Sequence, residues 1–165
     1  MNIKNLYCIV LSLLLFASCQ SDTKDPGTTT QEAIDDSSII NSRKSLDVPY
    51  EVVFNDSTRL MEIKKNPEAN SENLNENDLI EAINLKYPEI ILELISIKGD
   101  TIAVKIKDAT YLTQRMGSEG AKAYLAEATF ALTELKNISA VDFQFTEGDH
   151  ASPGVMTRAD FNDFN

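Results

Sequence analysis

His150 is the only histidine in this 165-residue chain, and it stands in FQFTEGDHASPG with Glu147, Asp149 and Ser152 beside it. These residue types suit two kinds of chemistry. A metal site would need further nitrogen, sulfur or oxygen ligands converging on the imidazole, and the sequence has no HxxxH, HExxH or CxxC pattern. A serine–histidine–aspartate relay needs nucleophile, base and orienting carboxylate in line. Three neighbours in one turn do not reach that geometry, and no GxSxG elbow is present. The segment reads instead as punctuation: Glu147-Gly148-Asp149 turns the chain out of a strand, His150 and Ser152 satisfy local backbone groups, and Pro153-Gly154 redirects the chain. The other acidic residues form no paired-carboxylate pattern, and neither a P-loop nor a GxGxxG occurs. No catalytic residue, metal ligand or cofactor is expected.

The two cysteines belong to a different kind of chemistry. MNIKNLYCIVLSLLLFASCQSD has one positive charge, Lys4, and then an apolar stretch from Leu6 to Phe16. That stretch is shorter than the roughly 20 residues a membrane-spanning helix needs, but suits the hydrophobic part of a secretory signal. Leu15-Phe16-Ala17-Ser18-Cys19 resembles a bacterial lipobox. The resemblance implies acylation of the Cys19 thiol, cleavage before it and acylation of the new amine. Cys8 would leave with the signal, so the mature chain would carry no free thiol. Two or more acyl chains anchor stably where one is marginal. Gln20 stands where an aspartate would resemble an inner-membrane retention signal, which points to the outer membrane. Either face of that membrane is compatible with Asp22, Lys24 and Asp25.

The formal charge is -11, and about -12 once Lys4 is removed with the signal. A chain this acidic is unsuited to nucleic acid, whose phosphates demand a basic patch. Residues 1–18 are thus expected to be a signal peptide and residues 19–47 a polar tether, because SDTKDPGTTTQEAIDDSS has too little apolar surface to offset its ordering entropy. Residues 48–165 should form one small domain.

Within that domain periodicity sets the elements. YEVVF (Tyr50–Phe54) and RLMEI (Arg59–Ile63) flank Asn55-Asp56-Ser57 and suggest a hairpin. NDLIEAINLKY is a short helix with Asn77 as its cap, Pro88 beyond its end and an apolar stripe of Leu79, Ile80, Ile83 and Tyr87. EIILELISIKGDTIAVKIKD holds two strands around Gly99-Asp100, a dipeptide suited to a tight hairpin turn. Ile102, Val104 and Ile106 point one way, with Ala103, Lys105 and Lys107 the other, as in a sheet with one packed face. GSEGAKAYLAEATFALTELKNI is a helix with Ser118 as its cap and a stripe of Ala121, Tyr124, Leu125, Ala128, Leu132 and Leu135. Small Ala123, Ala126 and Ala131 let it lie close to a sheet. AVDFQFT returns as a strand with Val141, Phe143 and Phe145 on one face. The expected class is α+β: a mixed β-sheet with two helices packed on one face, in the order ββαββαβ. A parallel pairing is expected across the last strand–helix–strand passage.

The helix segment ATFALTELKNI followed by AVDFQFTEGDHASPG resembles the GerMN domain, a module of sporulation and germination proteins. The matching positions are Thr129, Leu132, Leu135, Val141, Phe143, Phe145 and Gly148. The likeness spans residues 90–153, and more weakly the first hairpin. Lys86-Tyr87-Pro88 stands where that family usually has Gly-Pro. The resemblance implies a non-catalytic envelope domain acting in assembly or ligand contact.

One loop suits such contact. In DATYLTQRMGSEG, Tyr111, Gln114 and Arg115 place aromatic and polar groups before a helix, where a glycan, peptide or anion could bind. The plainer reading docks Tyr111 and Leu112 on the sheet. The expected function is therefore a lipid-anchored envelope protein, held to the membrane through Cys19, that binds or organises an envelope protein or glycan. The alternative is an envelope hydrolase acting on cell-wall or nutrient polymers.

Overall fold

Where two apolar strands meet at Gly99-Asp100 they fold back on each other in the computed structural model, which describes residues 46–69 and 74–164. Cys19, the lipobox and nearly all of the expected tether lie outside the described residues. Strands β3 (Leu92–Lys98) and β4 (Thr101–Ile106) pair antiparallel and close on Lys98 opposite Thr101. Of the two turn residues Gly99, and not Asp100, takes a positive φ, 61°, which is the hairpin turn that wants glycine first. β4 then pairs in parallel with β5 (Ala140–Gln144), and β5 antiparallel with β6 (Gly154–Met156), giving a four-stranded sheet in the order β3-β4-β5-β6.

The packed face is the one the alternation predicts. Ile102, Val104, Ile106, Val141 and Phe143 are buried, while Lys105 and Gln144 from the other face are exposed. Helices α1 (Glu76–Lys86) and α2 (Gly117–Leu132) touch each other and pack on strands β3 and β5. The α+β class with one packed face thus holds.

The expected single sheet does not. β1 (Tyr50–Asn55) and β2 (Leu60–Lys65) pair only with each other as a separate two-stranded sheet. β1 lies against α2 and β2 against the C-terminal turn at residues 158–164, not beside β3. The reason is visible in α2: Tyr124 to Thr129 are buried without a break, so the helix is covered on more than one side. The element order is ββαββαββ, one strand longer than expected, because β6 forms from what reads as tail.

Boundaries shift for local reasons. The α1 cap is Asn75, not Asn77: its side chain accepts from the Asn77 and Asp78 amides while Asp78 accepts from the Asn75 amide, a capping box. Ser118 does not cap α2, because Tyr111–Arg115 winds as a π turn leading straight into the helix. The first hairpin closes through Asn55, whose side chain accepts from the Ser57 and Thr58 amides.

Two core hydroxyls, on Tyr124 and Thr129, are buried with no hydrogen-bond partner among the described residues. Burial also pushes the Tyr124 phenol well above its ordinary value. An unpartnered buried polar group costs about 1–3 kcal/mol. Tyr124→Phe is therefore expected to hold or raise the denaturant midpoint; a loss of more than about 1 kcal/mol would mean the hydroxyl has a partner.

Candidate functional site

The densest polar chemistry lies where sequence reading did not look, on the hairpin side of α2. Glu127 is 3 % exposed. One of its carboxylate oxygens accepts the Val52 amide of β1 at 2.6 Å. The other accepts the Tyr87 hydroxyl at 2.6 Å and pairs with Lys86 Nζ at 2.8 Å. Lys86 and Tyr87 sit there because α1 ends at Lys86, just before Pro88. Burial first, and the Glu127 hydrogen bond second, push the Tyr87 phenol far above its ordinary value, so it remains a donor. Tyr87 also meets Tyr124 edge-on, with ring centroids 5.0 Å apart.

Seven residues further on, just past the end of α2, Glu134 gathers a second cluster. It accepts from the Tyr50 hydroxyl at 2.9 Å and from Arg158 Nη2 at 2.8 Å, and pairs with Lys65 at 3.1 Å. Arg158 also donates to Thr133 Oγ1 and to the Phe130 carbonyl, and its guanidinium lies over the Tyr50 and Phe130 rings. The arginine thereby bonds one carbonyl in the last turn of α2, that of Phe130, and ties the C-terminal segment to the first hairpin. Partial burial raises the Glu134 carboxyl, but the Arg158, Tyr50 and Lys65 bonds outweigh it and bring the group down to about 2 from 4.5. Both clusters join elements; neither lines an enclosed cleft with a free nucleophile.

His150 has a more definite place than punctuation. Its amide donates to the Thr113 carbonyl at 2.9 Å, which docks the 147–151 loop on the π turn. Gly148 permits this approach: a Cβ there would stand 2.6 Å from Thr113 Cβ. The imidazole Nδ1 lies 3.2 Å from Ser118 Oγ. Ser152 turns the other way, donating to Glu147 at 2.7 Å. The local Asp149–His150–Ser152 relay is not assembled, and among the described residues no carboxylate bonds the imidazole. Residues 118 and 150 meet because the π turn aims the start of α2 at the loop, for which the sequence gives no signal. Among the described residues no three His, Cys, Asp or Glu side chains cluster as metal ligands.

The loop residues separate. Leu112 and Thr113 are buried, and Tyr111 is partly buried against the core. Tyr111 and Arg115, one turn apart, line a shallow groove of about 400 Å³ with Glu89, Asp108 and Thr110. Gln114 faces a second groove of about 250 Å³ with Lys107, Thr146 and Glu147. Docked Tyr111 and Leu112 and exposed Gln114 and Arg115 thus stand on the same π turn.

In comparisons with known proteins, no family model, curated protein or solved structure matches this chain. No helix among the described residues is long and apolar enough to cross a membrane.

Two outcomes test the clusters. Glu127→Ala, which leaves Lys86, Tyr87 and the Val52 amide without their acceptor, should lower unfolding free energy by about 3 kcal/mol in chemical denaturation; Glu127→Gln, which keeps an acceptor, should cost less. Because the folded Glu134 carboxyl is depressed, its contribution is complete above pH 4.5 and is lost as pH falls from 4.5 through about 2. Glu134→Gln should therefore reduce stability at neutral pH and flatten the loss of thermal midpoint across that acid window.

Proposed function

We propose that this chain is a lipid-anchored protein of the bacterial envelope whose folded body works by contact with another envelope component, a protein or a glycan. The observation that carries the reading is Leu15-Phe16-Ala17-Ser18-Cys19, set after a short apolar run and before a polar stretch. The lipid supplies the attachment, and the tether spaces the acidic body from the head groups. The outer membrane is the favoured address, because Gln20 follows the cysteine.

The contact half of the reading is supported by how the charged groups are used. Glu127 and Glu134 each bond side chains or backbone from two or more other elements. The 108–117 loop stands on buried Leu112 and Thr113 and presents Gln114 and Arg115 outward, a polar surface on a fixed base. A GerMN-like body fits this role, since the matching positions are core and turn residues: Thr129, Leu132, Val141 and Phe143 are buried, Leu135 and Phe145 pack beside them, and Gly148 holds the docked loop.

The test uses the full chain in a bacterial envelope, with an alkyne fatty acid as label and crosslinked capture of partners. The wild type should take up label and capture a partner, and Cys19→Ala should lose both. Gln114→Ala with Arg115→Ala should keep the label and lose most of the capture. An unlabelled wild type overturns the anchor, and undiminished capture by the loop variant overturns the loop as the contact surface.

A further inference from the structure

We propose that two copies of this chain pair edge to edge through β3, forming one antiparallel sheet across a two-fold axis. β3 is an outer strand with β4 as its only neighbour in the sheet. The Asn84 side chain of α1 bonds both main-chain groups of Leu92, accepting its amide at 2.8 Å and donating to its carbonyl at 3.0 Å. Leu92 therefore turns its main chain away from β4. By the alternation of an antiparallel ladder, so does Leu94 and, past the irregularity between Leu94 and Ser96, so does Ile97. The tight turn closing on Lys98 and Thr101 fixes the same phase from the other end.

Asn84 covers the first of these positions. Among the described residues no hydrogen bond reaches the outward main chain of Leu94 or Ile97. The side chains beside them are apolar and open: Ile95 is 46 % exposed and Ile97 44 %. Unpaired main chain next to exposed isoleucines is what an added strand completes.

The second copy is the occupant because the edge is complementary to itself. Glu93, Ser96 and Lys98 oppose Lys105, Ala103 and Thr101, so they share the open face. Leu94 and Ile97 oppose Val104 and Ile102, so they share the packed face. A two-fold centred between Ile95 and Ser96 sets Leu94 against Ile97 of the second copy, twice, and these are outward-turned positions on both strands. The same axis sets Glu93, whose carboxylate also holds Lys107 of its own chain at 2.8 Å, against Lys98 of the second copy, also twice. In a regular strand residues 93 and 98 would lie on opposite faces; the extra residue at Ile95 brings them to one. Opposite charges directly across a strand pair are favourable and like charges are not. In a chain of net charge -11, whose copies repel overall, this local match selects where they meet. The other outer strand, β6, has three residues and neither charge.

This pairing draws on the sheet alone and stands whether or not Cys19 carries lipid. The two-fold places the Ile95 Cα atoms about 6 Å apart, within reach of a disulfide. Full-length Ile95→Cys, oxidised mildly in intact bacteria, should give a disulfide-linked dimer on non-reducing gels. The parent chain and Val155→Cys, exposed on the opposite edge, should not. Adding Glu93→Lys or Lys98→Glu to Ile95→Cys should reduce the dimer at least about fivefold, and combining both should restore it. Unchanged melting of the single charge variants separates lost pairing from lost fold. Linkage of the parent equal to that of Ile95→Cys would report Cys8 or Cys19 alone and would overturn pairing through β3. Absence of the Ile95 dimer, equal crosslinking at Val155, or no restoration by the charge swap would overturn the proposal.

Discussion

A carboxylate removed from water must find partners or lose several kcal/mol of stability, and Glu127 meets that demand with the Val52 amide, the Tyr87 hydroxyl and the Lys86 ammonium. These partners come from β1 and from the end of α1. Burying one side chain of α2 therefore dictates where two other elements lie. The hairpin is held on the helix, because an amide of its first strand donates to Glu127. α1 ends at Lys86, just before Pro88, and so sets the Tyr87 hydroxyl against the same carboxylate. Glu134 and Arg158 repeat the device just past the C-terminal end of α2, bringing in Tyr50, Lys65 and the C-terminal segment.

Much of the four-stranded sheet was legible in the sequence. The alternation in TIAVKI and AVDFQ, and the Gly99-Asp100 turn, follow from strand periodicity and local backbone preference, which act over a few residues. The hairpin-facing side of α2 was not legible. Ala121, Tyr124, Leu125, Ala128 and Leu132 make one apolar stripe, and one stripe predicts one covered side. Glu127, Phe130 and Glu134 form a second stripe at positions i, i+3 and i+7, meeting Val52 and Tyr50. Two of its three members are acids, so hydrophobic patterning reads it as solvated. The run of Ala123, Ala126 and Ala131 was the available hint, since small residues on several sides let more than one element approach.

The candidate contact loop was legible in part for the same reason. Tyr111 and Leu112 read as apolar residues that dock, and they do; Gln114 and Arg115 read as polar and stay outside. The π turn that carries them has no periodic signature, and with it went the meeting of Ser118 and His150. Arg158, in a turn-rich tail, gave no sign that it would close the end of α2. Such contacts between distant segments depend on the finished fold.

Function, on this account, follows from division of labour. In the proposed function attachment falls to Cys19 and recognition to the surface; the interior charges hold hairpin, helices and sheet as one body. Native-state hydrogen exchange at Val52 tests that last claim most directly. Its amide, 2.6 Å from Glu127, should exchange only through global unfolding, with the same opening free energy as the slowest amides of central strand β4. Exchange of Val52 through a much smaller local opening would mean that the hairpin leaves α2 by itself and that Glu127 does not bind the layers together.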